Sequence, residues 1–163
     1  MARPSDFVRY FGNVRARTER LIPLIPPDRL EWSAGAGALS FGDLLRHLAG
    51  TERWMWAENA AGRPARYPGH GPELAAGYDA TCRYVADLHA ESMAIFGGLT
   101  PEQYAAGVMT PGGAKMPAWK WLRAMIEHEA HHRGQLYLML RLVGVSTPPV
   151  FGLTSEEVRA RSS

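Results

Sequence analysis

The sequence predicts an all-α protein, and the simplest architecture for it is a four-helix bundle. Three observations lead to this prediction. Four long segments carry apolar residues at steps of three and four, glycines and prolines fall between these segments, and no segment alternates convincingly with a period of two. Because 163 residues suffice for one ordinary core and no composition shift divides the chain, we expect a single domain over residues 1–163.

The first helix is predicted by an apolar stripe that starts at Phe7 and reaches Leu21. Pro23 and the pair Pro26-Pro27 end the pattern, because proline lacks the backbone N–H that a helix interior needs. The stripe consists of Phe7, Tyr10, Phe11, Val14, Thr18 and Leu21.

The second helix is predicted to begin at a capping box, in which Ser40 is followed three residues later by Asp43. We expect it to run from about residue 41 to residue 60. The third helix is predicted to start at Pro72, a residue suited to the first helical position, and to stop at Gly97-Gly98. The fourth and longest is predicted over residues 117–143.

Shorter pieces lie between and after these helices. Residues 100–103 are expected to start a short turn of helix, and residues 110–113 are expected to form a turn. The tail at residues 148–153 should lie over the bundle as an irregular strap. Residues 154–157 resemble a second capping box and predict a final helical turn.

The composition bounds the partners and the location of the protein. A formal net charge of +2, with arginines scattered among acids, gives no reason to expect a nucleic-acid partner. No apolar run approaches the roughly 20 residues that span a bilayer, and the first residues lack the apolar core of a signal peptide. We therefore expect a cytoplasmic protein without a membrane segment. Cys82 is the only cysteine, which excludes an intrachain disulfide.

Two histidines lie one helical turn apart in the fourth segment. His128 and His132 both fall on its predicted inward face. A buried polar group without a partner costs about 1–3 kcal/mol, so two adjacent imidazoles on such a face need an explanation. A shared metal ion would supply one, and ordinary core histidines hydrogen-bonded to nearby groups are the alternative. The predicted face consists of Trp121, Met125, His128, His132, Gln135, Met139 and Leu142.

His47 strengthens the metal interpretation, because it lies near the middle of a core-facing arc of the second helix. Three neutral ring nitrogens leave coordination positions for water or substrate, which is typical of a catalytic rather than a closed structural site. Imidazole ligands favour zinc, nickel or ferrous iron over magnesium or calcium. The residues therefore predict a divalent-metal site formed by His47, His128 and His132.

Several neighbours of this site have more than one possible role. Glu129 could orient a ligand imidazole or act as a catalytic base, and a solvated or ion-paired glutamate is the alternative. Gln135 could hydrogen-bond a metal-bound group or serve as a structural amide. His131 belongs to a different stripe and is expected either to support the ligand residues or to lie at the rim of the site, while His70 and His89 are expected at the surface.

Arginines flank the two helices that carry these histidines. Each could bind an anionic head group through charge-assisted hydrogen bonds, and a solvated helix surface is the alternative for each. They are Arg46, Arg53, Arg123 and Arg133. Of this set, Arg133 is the candidate for binding a cofactor, together with Gln135.

Three motifs in this sequence match those of a known family. Helix two carries His-Leu-Ala-Gly-x-Glu from His47, helix four carries His-x-x-x-His from His128 followed by Arg-Gly-Gln, and the tail carries Pro-Pro-x-x-Gly-Leu at residues 148–153. With these motifs the chain resembles the DinB/YfiT-like superfamily over nearly its whole length. The resemblance implies an up-down-down-up bundle, frequently a homodimer, with a divalent metal held by His47, His128 and His132.

The resemblance also implies a chemistry. Members with assigned activities are often enzymes that use a low-molecular-weight thiol such as bacillithiol, mycothiol or glutathione. Our first hypothesis is therefore a metal-dependent thiol S-transferase that acts on an electrophilic substrate. The second is a metal-dependent hydrolase with Glu129 as the base, and the third is a non-enzymatic, metal-binding stress-response dimer.

Overall fold

The fold is known from a computed structural model, which describes residues 3–162. Residues 1, 2 and 163 of the predicted domain lie outside the described residues. Four long helical segments form the bundle, so the predicted fold class is confirmed. In chain order the elements are α1 (Pro4–Glu19), α2 (Phe41–Thr51), a π-helical turn (Glu52–Ala57), α3 (Glu58–Ala60), α4 (Tyr78–Gly97), α5 (Pro101–Ala105), β1 (Gly107–Met109), β2 (Lys115–Pro117), α6 (Ala118–Leu142) and α7 (Ser155–Arg161).

One apolar cluster fills the end of the bundle where α1 and α6 begin. It joins the first halves of these two helices to the π-helical turn and to the last half of α4. Phe7 stacks on Phe11 at 5.8 Å between ring centroids and meets Phe96 edge-on at 5.1 Å. The buried members are Phe7, Phe11, Val14, Trp56, Ala57, Ala60, Phe96, Leu99, Tyr104, Leu122 and Met125.

A second apolar cluster fills the opposite end, where α2 and α4 begin. It contains the chain just after α1, most of the length of α2, residues from the first and middle parts of α4, and the last half of α6. The buried members are Leu21, Ile25, Phe41, Leu44, Leu45, Ala49, Val85, Leu88, Leu136, Met139 and Leu140. Because α1 and α6 start at one end and α2 and α4 start at the other, the helices follow the predicted order up-down-down-up.

The predicted helix starts at Ser40 and Thr154 are confirmed. The amide of Asp43 donates to Ser40 Oγ at 3.0 Å, and the amide of Ser40 donates to a carboxylate oxygen of Asp43 at 3.1 Å. Thr154 and Glu157 make the same reciprocal pair at the start of α7. Both boxes satisfy amide protons that the first helical turn leaves without intrahelical partners.

The third helix begins later than predicted. It starts at Tyr78 and not at Pro72, and residues 72–77 form turns. Gly77 precedes the helix with φ of 81°, a left-handed conformation that interrupts a right-handed helix. The apolar periodicity of residues 74–95 concealed this break, because Leu74 fits the stripe although it lies outside the helix.

A short hairpin departs from the all-helical prediction. Strand β1 pairs antiparallel with β2, and Val108 lies opposite Met116. The predicted turn at residues 110–113 forms the loop between them, in which the Gly113 amide donates to the Thr110 carbonyl at 2.9 Å. Strands of three residues are too short to show a period of two, which is why the sequence did not reveal them.

The second helix of the bundle contains a π-helical turn that the sequence did not predict. Residues 52–57 continue α2 with wider turns before α3 completes the helix. Such turns are rare and occur frequently at functional sites. Here the turn brings Glu52 into the interior, where only 2% of the residue is exposed.

The tail after α6 crosses the end of the bundle as the sequence predicts. The Tyr137 hydroxyl donates to the Pro148 carbonyl at 2.9 Å, and Arg20 donates to the Val150 carbonyl at 2.9 Å. These two bonds tie the strap to α6 and to the residue that follows α1. Within residues 3–162, no helix has the length and apolar character needed to cross a membrane.

Candidate metal centre

The antiparallel neighbours α2 and α6 bring three histidines together. His47 lies in the second turn of α2, and His128 and His132 lie one turn apart on the facing side of α6. Nε2 of His128 is 2.9 Å from Nε2 of His47 and 3.1 Å from Nε2 of His132. The potential ligand atoms of all three residues lie within 4.8 Å of one another, so this group could hold a metal ion.

The donor set fits a divalent ion of the zinc type. Two imidazole nitrogens that each bind one tetrahedral ion at about 2.0–2.1 Å lie roughly 3.4 Å apart, close to the separations found here. Nδ1 of His132 lies 2.7 Å from the side-chain oxygen of Gln135. An oxygen can only accept, so Nδ1 carries the proton and Nε2 of His132 presents a lone pair to the centre. A three-histidine set leaves further coordination positions open.

Burial, assisted by neighbouring charges, favours the neutral form of these imidazoles, which is the state that binds metal. Burial, then His132 and His70, lower the pKa of His47 to about 4. Burial and the neighbouring histidines, with a smaller effect of Arg15, lower the pKa of His128 to about 3. Burial also lowers the pKa of His132, against the hydrogen bond that its ring donates to Gln135, which raises it.

Two residues of the connection at residues 61–77 reach the centre from outside the helices. The Tyr67 hydroxyl lies 3.1 Å from Nδ1 of His47 and 2.6 Å from Nδ1 of His70. His70 is half-buried beside His47, so the prediction that it is a surface residue is wrong. The breaker-rich sequence around it carries no periodicity that could have placed either residue at the site.

Glu129 lies in the bundle interior, with only 2% of the residue exposed. One of its carboxylate oxygens is 3.4 Å from the guanidinium of Arg15, and the other has no hydrogen-bond partner among the described residues. Of the alternatives for this residue, the structure has it ion-paired and not solvated. Its role as a catalytic base stays a prediction.

The partners of Arg15 extend this interior charge cluster to all four bundle helices. Arg15 from α1 also pairs with Glu52 of the π-helical turn. The second oxygen of Glu52 is 2.8 Å from Nδ1 of His89 on α4. His89 is therefore half-buried in the bundle, and its predicted surface position is wrong, because its face of α4 meets the π-helical turn.

The arginines near the site already have partners. Arg46 is fully buried and pairs with Glu31 and Asp43, whereas Arg53 pairs with Glu58 and Glu91. Arg46 and Arg53 are therefore not solvated surface residues, and their charges are already paired with carboxylates. Arg133 donates to the carbonyl of Val14 at 3.3 Å, on the side of α6 that faces α1. Arg123 lines a surface pocket with Tyr10 and Trp119.

The face of α6 that packs inward is rotated from the predicted one. Gln135 and Leu142 are exposed, and 58% of Leu142 is accessible. The buried residues are Ala118, Leu122, Met125, Glu129, His132, Leu136, Met139 and Leu140. The prediction erred because the two histidines were assigned to the centre of the stripe, whereas His128 lies at its edge.

A largely apolar groove lies close to His132 and meets the site at Gln135. It has a volume of about 320 Å³ and lies between α2, α6 and the connection before α2. Gln135 belongs to its wall and to the hydrogen-bond partners of His132. Leu39, Leu44, Leu138 and Met139 provide most of the remaining side chains. The groove thus offers an apolar surface about one helical turn from His132.

The sequence profile of the DinB family matches residues 1–161 of this chain. The uncharacterized protein YrdA of Bacillus subtilis is 38% identical over 45 residues. That match spans 28% of this chain and 27% of YrdA, so it covers about a quarter of each protein.

Solved structures share the fold at low sequence identity. YjoA, a DinB-like protein of Bacillus subtilis, superimposes with a TM-score of 0.71 and 18% identity, covering 91% of this chain and 99% of YjoA. YfiT of Bacillus subtilis is described as a probable metal-dependent hydrolase with an unusual four-helix bundle topology. It superimposes with a TM-score of 0.68 and 16% identity, covering 88% of this chain and 89% of YfiT. A mutant of a mycothiol-dependent maleylpyruvate isomerase superimposes with a TM-score of 0.57 and 12% identity, covering 89% of this chain and 62% of the isomerase.

Proposed function

This chain belongs to the DinB family, and from that membership we propose that it is a divalent-metal-dependent enzyme whose ion is held by His47, His128 and His132. The convergence of three neutral imidazoles on one point carries the proposal. We propose zinc, nickel or ferrous iron as the ion, because imidazole nitrogen suits these metals.

The ion would supply a thiolate or hydroxide nucleophile at neutral pH by lowering the pKa of the group bound to it. The residues of the chain contribute position and surroundings. Gln135 fixes the ring of His132, and the adjoining groove can take an apolar part of a substrate. Arg133 and Gln135 remain our candidates for contacts with a cofactor.

We propose a low-molecular-weight thiol as the first candidate for the nucleophile and an electrophile as its partner substrate. The fold shared with a mycothiol-dependent isomerase supports this choice. Hydrolysis is the second candidate, and the likeness to YfiT supports it. The two differ in whether Glu129 is needed as a base. A cytoplasmic location and a homodimer also stay predictions, as does the alternative of a non-enzymatic, metal-binding stress-response protein.

The proposal is tested by replacing a ligand and its exposed neighbour. His128→Ala and His132→Ala should each lower zinc affinity by more than about 100-fold, because removing a ligand exceeds the 10- to 100-fold effect of losing its supporting residue. His131→Ala, on the same helix and exposed, is the matched control and should bind zinc normally. Metal content and affinity are measured by elemental analysis and chelator competition.

Activity assays with metal-loaded protein and with Glu129→Gln decide between the candidate reactions. Metal-loaded protein is assayed with bacillithiol, mycothiol and glutathione against a test electrophile, and separately with ester and amide substrates. Activity that requires the metal and a thiol supports transfer, whereas thiol-independent activity that Glu129→Gln abolishes supports hydrolysis. Wild-type protein that binds no divalent metal would overturn the proposal.

A further inference from the structure

We propose that Tyr67 and His70 are positioning residues that fix the tautomer and ring orientation of His47, so that the connection at residues 61–77 is part of the metal centre. The inference rests on the proposed metal site. It concerns residues that lie outside the motifs of α2 and α6.

The hydrogen bonds have a defined direction when His47 binds through Nε2. Nδ1 must then carry the proton of the neutral ring, and it donates to the Tyr67 oxygen at 3.1 Å. The Tyr67 hydroxyl proton is left free to donate to Nδ1 of His70 at 2.6 Å. A chain of two donated bonds therefore runs outward from the ligand, and each bond favours the other.

Tyr67 performs for His47 what Gln135 performs for His132. Both groups meet the Nδ1 atom of a ring whose Nε2 faces the centre. Metal-binding histidines usually donate their second ring proton to an oxygen acceptor, and this outer bond fixes the ring. The tyrosine hydroxyl keeps a proton of its own, and Nδ1 of His70 is placed to accept it.

The connection is attached to α2 and to the π-helical turn that continues it. Arg46, which is fully buried, donates to the carbonyl of His70 at 3.0 Å. The amide of Arg66 donates to the carbonyl of Trp54 at 2.9 Å, and its guanidinium lies 4.0 Å from the Trp54 ring centroid. Tyr67 therefore lies between Arg66 and His70, which are both hydrogen-bonded to the second bundle helix, even though 51% of Tyr67 is exposed.

Gly50 permits this close attachment. A methyl group at its Cα would lie 2.8 Å from the Pro68 ring, inside the distance that real side chains keep. Gly50 is part of the His-Leu-Ala-Gly sequence that begins at His47. Because glycine has no side chain, Pro68 can pack directly against α2 at this position. A larger residue there would move Pro68, and with it the adjacent Tyr67, away from α2.

The proposal is tested with Tyr67→Phe and His70→Ala. Tyr67→Phe should weaken zinc binding by about 10- to 100-fold, and His70→Ala should weaken it less, because its bond is one step further from the ion. Tyr10→Phe is the matched control, since Tyr10 is similarly exposed at 47% but lies on α1. Affinity is measured by competition with a chromophoric chelator.

Nitrogen-15 NMR of the imidazole side chains supplies a readout that a merely structural effect would not move. In wild-type protein His47 should hold its proton on Nδ1, and in Tyr67→Phe it should populate both tautomers. Gly50→Ala should also let His47 populate both tautomers, although it leaves the Tyr67 hydroxyl and the His70 ring chemically intact. The NMR test works in metal-free protein, so it separates failure of this inference from failure of the metal site. Unchanged tautomers together with affinities within twofold of wild type would overturn the inference.

Discussion

Arg15 is the residue with the most exacting environment in the bundle. Its guanidinium is 1% exposed and is shared by the carboxylates of Glu52 and Glu129. Buried charges of this kind are tolerated only as long as each has a partner. The cluster is close enough to the histidines that Arg15 lowers the pKa of His128 and Glu129 raises that of His132, both as smaller effects beside burial.

Removing this arginine should therefore destabilise the fold strongly. We expect Arg15→Met to lower the free energy of unfolding by about 3–5 kcal/mol, because two buried carboxylates lose their counter-charge. Urea denaturation measures the effect. Arg9→Met, which removes an exposed ion pair of the same helix, should leave the free energy of unfolding nearly unchanged. Equal losses in the two variants would contradict this account.

At this scale the sequence was informative wherever a residue shared a helical period with others. His47, His128 and His132 could be grouped because each lies on the apolar arc of a long helix. Tyr67 and His70 could not, because a loop has no period that relates its residues to distant helices. His89 was misplaced since its partner, Glu52, points inward only through an unpredicted π-helical turn.

Helix boundaries differ in how much the fold depends on them. The capping box at Ser40 starts the helix that carries His47, and Ser40 is 4% exposed and also donates to Glu31 at 3.1 Å. The chemically similar box at Thr154 starts α7, a helix without buried residues. Stability lost at a helix end matters globally only if the rest of the fold is packed on that helix.

Matched substitutions at these two boxes should separate local from global stability. We expect Ser40→Ala to lower the free energy of unfolding by about 1 kcal/mol through the lost cap. Thr154→Ala should leave it unchanged, because α7 can fray without exposing core residues. Thermal and urea unfolding measure the first effect, and hydrogen exchange of the α7 amides detects the second. A global loss in the Thr154 variant would show that α7 packs more tightly than described here.

Helices with one uniform period of apolar residues were predicted well. The π-helical turn, the hairpin and the start of α4, which interrupt that period, were not. The long α6 ends where Gly144 adopts φ of 82°, one residue beyond the predicted segment. The sequence did not predict the π-helical turn, because its residues are as apolar as those of an ordinary helix. The hairpin was missed because its strands have only three residues each, and the late start of α4 was missed because Leu74 continues the apolar stripe across Gly77.

For the whole molecule, buried neutral histidines couple the fold to pH. Burial and then Arg15 lower the pKa of His89 to about 4, and Glu52 beside it is already paired with that arginine. The pKa of His47 is also about 4, and that of His128 is about 3. Each is near 6.5 in an unfolded chain. The folded state therefore takes up these protons at lower pH than the unfolded state does.

Stability of the metal-free protein should be fully present above about pH 6.5 and should fall as the pH drops from there toward 4. Each such histidine contributes a slope of about 1.4 kcal/mol per pH unit in that window. His89→Gln should show a shallower decline than wild type by roughly that slope. Urea unfolding between pH 7.5 and 5 tests this, and a stability that stays flat across the window in wild-type protein would contradict it.

The separation of the histidines along the chain governs when the centre can assemble. His47 and His128 are 81 residues apart, so the two helices that face each other are among the most distant in sequence. Closing so long a loop comes late, after local helices have formed. A nascent chain that ends before α6 holds only one of the three imidazoles, so capture of an ion would require the last helix of the bundle.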